Sequence, residues 1–394
     1  MNVSFSPISV LIIFSGTLAS IFFFTEIYTE IYTILLIALG LLSLSLIRLK
    51  EIIFTKKILI TLFLFLSLIL YYSINIDNGI IYEVDYEISS KVNFNFFYSL
   101  IIFFCTFLIG YFYSLQVEYP LKILGKIYTL QIFFYFIYVL WIFFFLNLFT
   151  DVDLGTGIRV FIFFPFFLIA FSLNKRKIFI FVYIVGLSYL FLISNRASMI
   201  VITMFFISYS IYPYLLKSRN LFKAYFFFNL IVIFILYNLY LEFSDQELLN
   251  ILSSKFFDKT LNSRGFIWIE LIEIIKQKPL FGYGANQFSQ YIYYSGEFNR
   301  NNLAAHSAFL EILLSGGFFG LFLYLFLLYS IFVQFFCYRK NHWGRVGSSF
   351  LIGIIYSGIT SEDIILGNIV ENFMIWLFLG ISVAQVTKIN KRLI

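Results

Sequence analysis

The chain has 394 residues, of which 61% are hydrophobic and only 12% are charged. It contains 56 Phe and 29 Tyr residues. Because soluble globular chains carry about 25% charged residues, this composition excludes a soluble enzyme, a disordered chain and a secreted disulfide scaffold. The net charge of +6 is not a nucleic-acid signal, since its meaning depends on where the Lys and Arg residues lie across a membrane.

Long apolar runs dominate the sequence from its start. Uncharged apolar runs of about 20 residues predict membrane-spanning helices. In chain order we predict spans at 8–24, 31–47, 58–76, 94–115, 127–149, 159–174, 178–194, 197–216, 224–241, 307–337, 346–361 and 364–386. The predicted fold class is therefore an all-α polytopic membrane protein with about 12 transmembrane helices. It divides into an N-terminal membrane bundle (1–241), a large outer loop (242–306), and C-terminal membrane helices with a cytoplasmic tail (307–394).

In the short connections between spans, most basic residues fall on one side of the predicted membrane. One set of connections holds 18 of the 27 basic residues: Arg48, Lys50, Lys56, Lys57, Lys122, Lys126, Lys175, Arg176, Lys177, Lys217, Arg219, Lys223, Arg339, Lys340, Arg345, Lys388, Lys391 and Arg392. The short loops of the opposite set hold three, which are Lys91, Arg159 and Arg196. Since Lys and Arg accumulate in cytoplasmic loops, we expect both termini in the cytoplasm and the large loop in the outer compartment.

The outer loop contains an amphipathic helix followed by a glycine turn. Asn262 and Ser263 are favoured N-cap types, which predicts that the helix begins there. Its polar face carries Glu270, Glu273 and Gln277, and its remaining surface is rich in Ile. Such a helix is expected to lie on the membrane surface and to end at Pro279. Gly282 and Gly284 follow and predict a tight turn beside the membrane.

The apolar stretch after this loop is too long for one straight span. A helix over 304–336 would be about 50 Å long, against about 30 Å of hydrocarbon. Gly316-Gly317 is the predicted break, which leaves the segment from His306 to Ser315 as a short helix at the outer interface. His306 would stand at the positive end of its dipole, where a neutral imidazole suits a general base. The other histidine, His342, lies in a basic cytoplasmic connection, and we interpret it as a solvated loop residue.

Few other ionisable residues stand out as candidates for chemistry. Arg196 lies between two spans with almost no loop, and its guanidinium suits a phosphate, although it could instead pair with an acid or reach the interface. Arg264 at the start of the amphipathic helix could be a plain surface charge. The carboxylate of Glu371, in the last span, is either functional or a structural partner. Asp151-Val-Asp153 is interpreted as a solvated turn, so we predict no metal site.

Four short motifs occur in a fixed order between residues 194 and 325. They are Ser194-Asn-Arg-Ala-Ser198, Ser263-Arg-Gly-Phe-Ile-Trp268, Pro279-Leu-Phe-Gly-Tyr-Gly284, and His306-Ser-Ala-Phe-Leu-Glu311 followed by Gly316-Gly-Phe-Phe-Gly320. Together they resemble the O-antigen polymerase and O-antigen ligase superfamily of bacterial inner-membrane proteins. Members often have Asn after the histidine, where this chain has Ser307.

The resemblance implies a metal-independent, inverting glycosyltransferase that needs no cofactor and acts on glycans linked to undecaprenyl diphosphate. Its site would face the periplasm, in a multi-pass protein of the inner membrane. It implies that His306 accepts the proton of the attacking hydroxyl, and that Arg196 and Arg264 clamp the diphosphate. Tyr283 and Glu311, in the same motifs, are assigned to substrate binding. Membrane lipid is a further expected partner, and a chain-length regulator is a candidate.

Three functions remain open at this point. We expect a polymerase of O-antigen or related repeat units, because the aromatic, Ile-rich and Asn-rich composition is typical of variable polysaccharide gene clusters. The alternative within the superfamily is a ligase that transfers the glycan to lipid A-core. The alternative from another class is a flippase or other transporter. A transporter fits less well, because the candidate residues cluster at the outer face instead of the midplane.

Overall fold

The structure, a computed structural model, describes residues 55–75, 95–116, 196–244, 259–285, 305–337, 341–360 and 369–391. These ranges contain eight α-helices and no β-strand: α1 (Lys56–Ile74), α2 (Asn95–Gln116), α3 (Arg196–Leu215), α4 (Arg219–Ser244), α5 (Lys259–Gln277), α6 (Ala308–Phe332), α7 (His342–Thr360) and α8 (Ile369–Lys391). A short 3₁₀ turn, Val333–Phe335, extends α6. The described part of the chain is thus all-helical, as predicted.

Seven of the twelve predicted spans overlap a described helix. The spans predicted at 8–24, 31–47, 127–149, 159–174 and 178–194 lie outside the described residues, so the total of twelve remains a prediction. Within the loop predicted at 242–306, helix α5 is present as expected. It begins at Lys259, however, so the predicted N-cap at Asn262 and Ser263 was wrong. One further turn adds backbone hydrogen bonds at little cost once a helix is nucleated, which outweighs the local preference of two capping residues.

Three helices of the described chain are long and apolar enough to cross a membrane: Lys56–Ile74, Arg219–Leu239 and Ala308–Phe335. Their outward faces carry large apolar side chains, such as Phe63 at 68% exposure and Phe234 at 69%. Water-soluble surfaces rarely expose so many large apolar side chains together, whereas lipid accommodates them. The chain is therefore an integral membrane protein.

Close packing holds α2 against the C-terminal helix α8. Gly110 in α2 and Gly380 in α8 each lie against the backbone of the other helix. A Cβ atom on Gly110 would come within 2.3 Å of the Leu377 carbonyl oxygen, and one on Gly380 within 2.2 Å of the Phe107 carbonyl oxygen. Small residues that let two helices approach so closely are typical of helix association in lipid. Beside this contact, the ring of Trp376 stacks on Phe103 at a centroid distance of 5.3 Å.

Helix α6 is the central element for the candidate site. It packs against α1, α5 and α7. Its first part contacts helix α5 through one apolar cluster made of Ile267, Trp268, Leu271, Ile274, Ile275, Tyr283, Ala305, Leu310 and Leu314. The loop helix is therefore fixed to the membrane helices by a shared core and does not merely rest on a surface.

Candidate functional site

The predicted break in α6 is present at Gly317. Its backbone has φ 58° and ψ −163°, which is outside any helical conformation. The short segment from Ala308 to Gly316 is thereby separated from the longer part that follows. The expectation of a short helix before a glycine break is confirmed. A helix break leaves carbonyl and amide groups without partners in the helix, and these need partners elsewhere.

The glycine turn after α5 supplies those partners. Four backbone hydrogen bonds join the two segments, from the amide of Tyr283 to the carbonyl of Leu314 (2.8 Å), Gly284 to Ser315 (2.9 Å), Phe318 to Pro279 (2.8 Å) and Phe319 to Leu280 (3.1 Å). Two of the donors lie in the turn and two lie after the break, so each segment satisfies backbone groups of the other. We call the paired segments 279–285 and 314–319 the glycine joint.

Glycine is required on both sides of this joint. Gly282 has φ 67°, and a Cβ atom there would lie 2.6 Å from the amide nitrogen of Gly317. A Cβ atom on Gly317 would lie 2.5 Å from the carbonyl oxygen of Leu280. Both positions therefore combine a left-handed backbone with contact to another backbone, and a side chain would be excluded on either count. Two motifs that are far apart in the sequence thus form one structure.

The end of α1 ties a third element into the glycine joint. The hydroxyl of Tyr71 lies 2.8 Å from the carbonyl of Gly316 and 3.0 Å from that of Phe281. Asn75 donates its side-chain amide to the Phe281 carbonyl over 2.7 Å. Its own carbonyl accepts from the amide of Ala285 over 2.9 Å. Neither residue was expected to matter from the sequence, where both look like ordinary polar ends of an apolar run.

His306 lies immediately before α6, as predicted. It is exposed, whereas Ala305 and Ser307 on either side are fully buried. Its φ of 48° makes it the one non-glycine residue with positive φ in the ranges that the structure describes. Non-glycine residues in sparsely populated conformations cluster at functional sites and persist only where their surroundings hold them.

Three separate helices hold the two buried neighbours of His306. The indole nitrogen of Trp268, in α5, donates to the carbonyl of Ala305 over 2.7 Å. Tyr237, in α4, forms a hydroxyl–hydroxyl hydrogen bond with Ser307. The Ser307 hydroxyl also donates to the carbonyl of Gly358, in α7, over 3.4 Å. Tyr237 was not among the predicted site residues, because one Tyr in a Tyr-rich span carries no distinguishing signal.

The two residues assigned to substrate binding lie inside the protein. Glu311 is 3% exposed, one turn into α6, and its amide donates to the Ser307 carbonyl over 3.1 Å. Tyr283 is 5% exposed, and its hydroxyl donates to the carbonyl of Ile274 over 3.1 Å. The ammonium of Lys278 lies 4.7 Å from the centre of the Tyr283 ring. These contacts are structural, and the expected sugar contacts stay predictions.

The two arginines occupy helix positions that differ in their relation to His306. Arg264 lies four residues before Trp268 in α5, so the two positions share one face of that helix, and Trp268 contacts the segment that contains His306. Arg196 is the first residue of α3. The side chains of both arginines, and that of Glu371, lie outside what the structure describes, as do Asp151 and Asp153.

The interpretation of His342 as a solvated loop residue was wrong. It is the first residue of α7, and its ring meets that of Tyr209 edge-on at 6.5 Å. The guanidinium of Arg345 lies over the same Tyr209 ring, 3.7 Å from its centre. Burial, and then the charge of Arg345, lower the pKa of His342 to about 4. The sequence position suggested a loop because the helix begins before the apolar run does.

These observations define an integral membrane protein of packed helices with an exposed, conformationally restrained histidine at a helix N-terminus. Residues 161–325 match the family model described as O-antigen ligase, which confirms the resemblance to the O-antigen polymerase and ligase superfamily. The match contains all five candidate site residues: Arg196, Arg264, Tyr283, His306 and Glu311. No curated protein and no solved structure gave a significant match.

Proposed function

We propose that the chain polymerises repeat units of O-antigen or a related surface polysaccharide on undecaprenyl diphosphate. The growing glycan would be transferred from its lipid carrier to a new lipid-linked repeat unit, at the periplasmic face of the inner membrane. The observation that carries this proposal is the exposed, restrained His306 at the start of α6, inside the matched domain. The family itself covers both polymerase-type and ligase-type enzymes.

His306 is the proposed proton acceptor. A sugar hydroxyl of the incoming repeat unit attacks the anomeric carbon of the growing glycan, and its proton passes to the imidazole. The bond from the anomeric carbon to the diphosphate oxygen breaks, and that oxygen keeps the electron pair. A direct displacement of this kind inverts the anomeric configuration. A base positioned within hydrogen-bond reach of the hydroxyl is expected to contribute about 10²–10⁴-fold to the rate.

Arg196 and Arg264 are the proposed diphosphate clamp. Charge develops on the diphosphate as it departs, and a guanidinium can donate two parallel hydrogen bonds to it. Two observations support Arg264 in this role: it shares a helix face with Trp268, and Trp268 is bonded to the residue before His306. The assignment of Arg196 rests on its place in the matched family region.

The ligase function is the second candidate, and the description of the matched family favours it. A ligase would use the same donor, the same base and the same clamp, and would differ only in its acceptor, the sugar of lipid A-core. Because the donor chemistry is shared, the residues described above do not separate the two functions. The separation must come from the product that accumulates when the chain is lost.

The proposal is tested by deleting the gene for this chain from its natural host and separating the glycans by gel electrophoresis. A polymerase predicts glycans of a single repeat unit on the core, and the ladder should return when the wild-type chain is supplied. Loss of all glycan from the core, with lipid-linked polymer accumulating, would establish the ligase instead. Lipid-linked repeat units trapped at the cytoplasmic face would point to a flippase and would contradict both enzymes.

A further inference from the structure

The segment that carries His306 is held at both ends by contacts that none of the family motifs predicts. We propose that Tyr237 and Ser307, braced by Trp268, are positioning residues that set the orientation of the His306 imidazole. None of the three would touch the substrate. The inference rests on the proposed function, since it concerns the base of that reaction.

The backbone of His306 needs such support. A φ of 48° is a left-handed conformation that a residue with a side chain rarely adopts. His306 itself is exposed and forms no part of the packed core, whereas Ala305 and Ser307 are both at 0% exposure. The backbone conformation of the exposed residue is therefore constrained by the two buried residues next to it. Whatever fixes those two also constrains the backbone position from which the imidazole projects.

The hydroxyl of Ser307 is engaged in an unusual way for its position. Ser307 is the N-cap residue of α6, where a serine ordinarily accepts a hydrogen bond from a backbone amide of the first turn. Here its side chain makes no capping hydrogen bond. It contacts Tyr237 and Gly358 instead. The Ser307 hydroxyl thus bonds to two other helices instead of capping its own helix.

The direction of this hydrogen-bond chain follows from the number of protons. Ser307 has one hydroxyl proton, which it donates to the Gly358 carbonyl. It must therefore accept from the hydroxyl of Tyr237. Gly358 lies in the last turn of α7, where carbonyls have no partner within the helix. The chain from Tyr237 through Ser307 to Gly358 thus satisfies a helix end and connects α4, α6 and α7.

Trp268 completes the arrangement on the other side of His306. Its indole nitrogen holds the Ala305 carbonyl, and its ring lies against that of Tyr237 with centroids 4.8 Å apart. The two aromatic residues therefore brace each other while each holds one neighbour of His306. A misplacement of about 1 Å at a reacting group can cost up to about 10²-fold in rate. Loosening this brace is expected to reduce the chemical step and to leave substrate binding largely intact.

Tyr237→Phe tests the proposal, because it keeps the ring and removes only the hydroxyl. Tyr225→Phe is the matched control: it lies on the same helix, and its hydroxyl also bonds to a serine, Ser208, over 2.8 Å. Each full-length variant is purified, placed in proteoliposomes, and supplied with lipid-linked repeat units extracted from a host strain that lacks the chain. Chain extension then gives kcat and KM. We expect kcat of Tyr237→Phe to fall about tenfold to a hundredfold, with KM within about twofold and Tyr225→Phe close to wild type.

Ser307→Ala and the double variant provide the second measurement. If Tyr237 acts through Ser307, the two single losses are expected to be similar and the double loss no larger than either. Equal activity of Tyr237→Phe and Tyr225→Phe would overturn the inference, as would a fall confined to KM or two losses that multiply. His306→Ala separates this failure from that of the proposed function. If that variant still extends glycans at the wild-type rate, His306 is not the base and the inference about its positioning fails. If the wild-type chain extends nothing, the proposed function itself fails.

Discussion

At the scale of single residues, His306 combines an exposed side chain with a restrained backbone. It is exposed at the end of a helix, yet its backbone is held in a left-handed conformation by its buried neighbours. An exposed residue with no constraint would relax to a conformation of lower energy, at a saving of about 1–3 kcal/mol. The protein keeps the restrained form, which is expected where a side chain must point in one direction for chemistry.

His306→Gly is predicted to separate stability from activity. Glycine adopts positive φ without a steric cost, so we expect the free energy of unfolding to stay equal or to rise by up to about 1 kcal/mol. Chain extension should be lost, because the proposed base is gone. Thermal unfolding of the detergent-solubilised chain and an activity assay on the same sample measure both. A clear loss of stability would mean that the imidazole itself contributes structural contacts that outweigh the strain.

His342 gives a prediction about pH at the same scale. Its pKa is lowered to about 4 in the folded chain by burial and by Arg345, against an ordinary value near 6.5. Above pH 6.5 the residue is neutral in both the folded and unfolded states. Between pH 6.5 and 4 the unfolded state binds the proton more readily, so stability must fall as the pH falls.

His342→Gln is expected to reduce this pH dependence. Thermal unfolding at pH 7 and at pH 5 provides the measurement, with the wild-type chain losing more thermal stability than the variant on acidification. Because glutamine does not titrate, the loss of stability that the variant shows on acidification comes from the rest of the protein. An identical loss of thermal stability in the two proteins would show that the pKa of His342 does not differ between the folded and unfolded states.

At the scale of elements, the glycine joint explains why two distant motifs occur in the same chain. The Pro279–Gly284 turn and the break at Gly317 satisfy each other's backbone groups. Because α5 carries Arg264 and α6 begins beside His306, the joint fixes the spacing between the helices of the proposed clamp and the proposed base. Asn75, at the end of α1, adds a contact to the same joint.

Asn75→Ala is predicted to loosen the joint. The variant removes the amide that donates to the Phe281 carbonyl and leaves Tyr71 as the remaining side-chain donor to it, so the expected cost is that of one hydrogen bond, about 0.5–1.5 kcal/mol. Asn238→Ala is the control, since its amide also donates to a carbonyl, that of Phe234, but within its own helix α4. We expect lower thermal stability and slower chain extension for Asn75→Ala alone. Equal behaviour of the two variants would show that α1 does not support the joint.

At the scale of the whole molecule, the sequence predicted the features that depend on local pattern. The all-helical character, the amphipathic helix of the loop, its end before Pro279 and the break at Gly316-Gly317 follow from hydropathy, proline and glycine chemistry. The position of His306 at the start of a helix followed from that break. Each of these required only neighbouring residues to be known.

Features that depend on contacts between distant helices could not be predicted in the same way. Nothing in the sequence around Tyr237 shows that its hydroxyl reaches Ser307, and nothing around Gly282 shows that it lies against Gly317. His342 was misread for a related reason, since its burial comes from packing against α3 and not from its own segment. A buried hydrogen bond between helices leaves no periodic trace in either one.

The central claim for the whole molecule is that it transfers a lipid-linked glycan with His306 as the base. Chain extension by the purified full-length protein tests this most directly, in proteoliposomes with EDTA present and lipid-linked repeat units as the only substrate. The wild-type chain is expected to produce a ladder of lengthening glycans, while His306→Ala, at equal protein level, produces none. A ladder from His306→Ala that matches the wild type, or a wild-type chain that extends nothing unless a divalent cation is restored, would contradict the account.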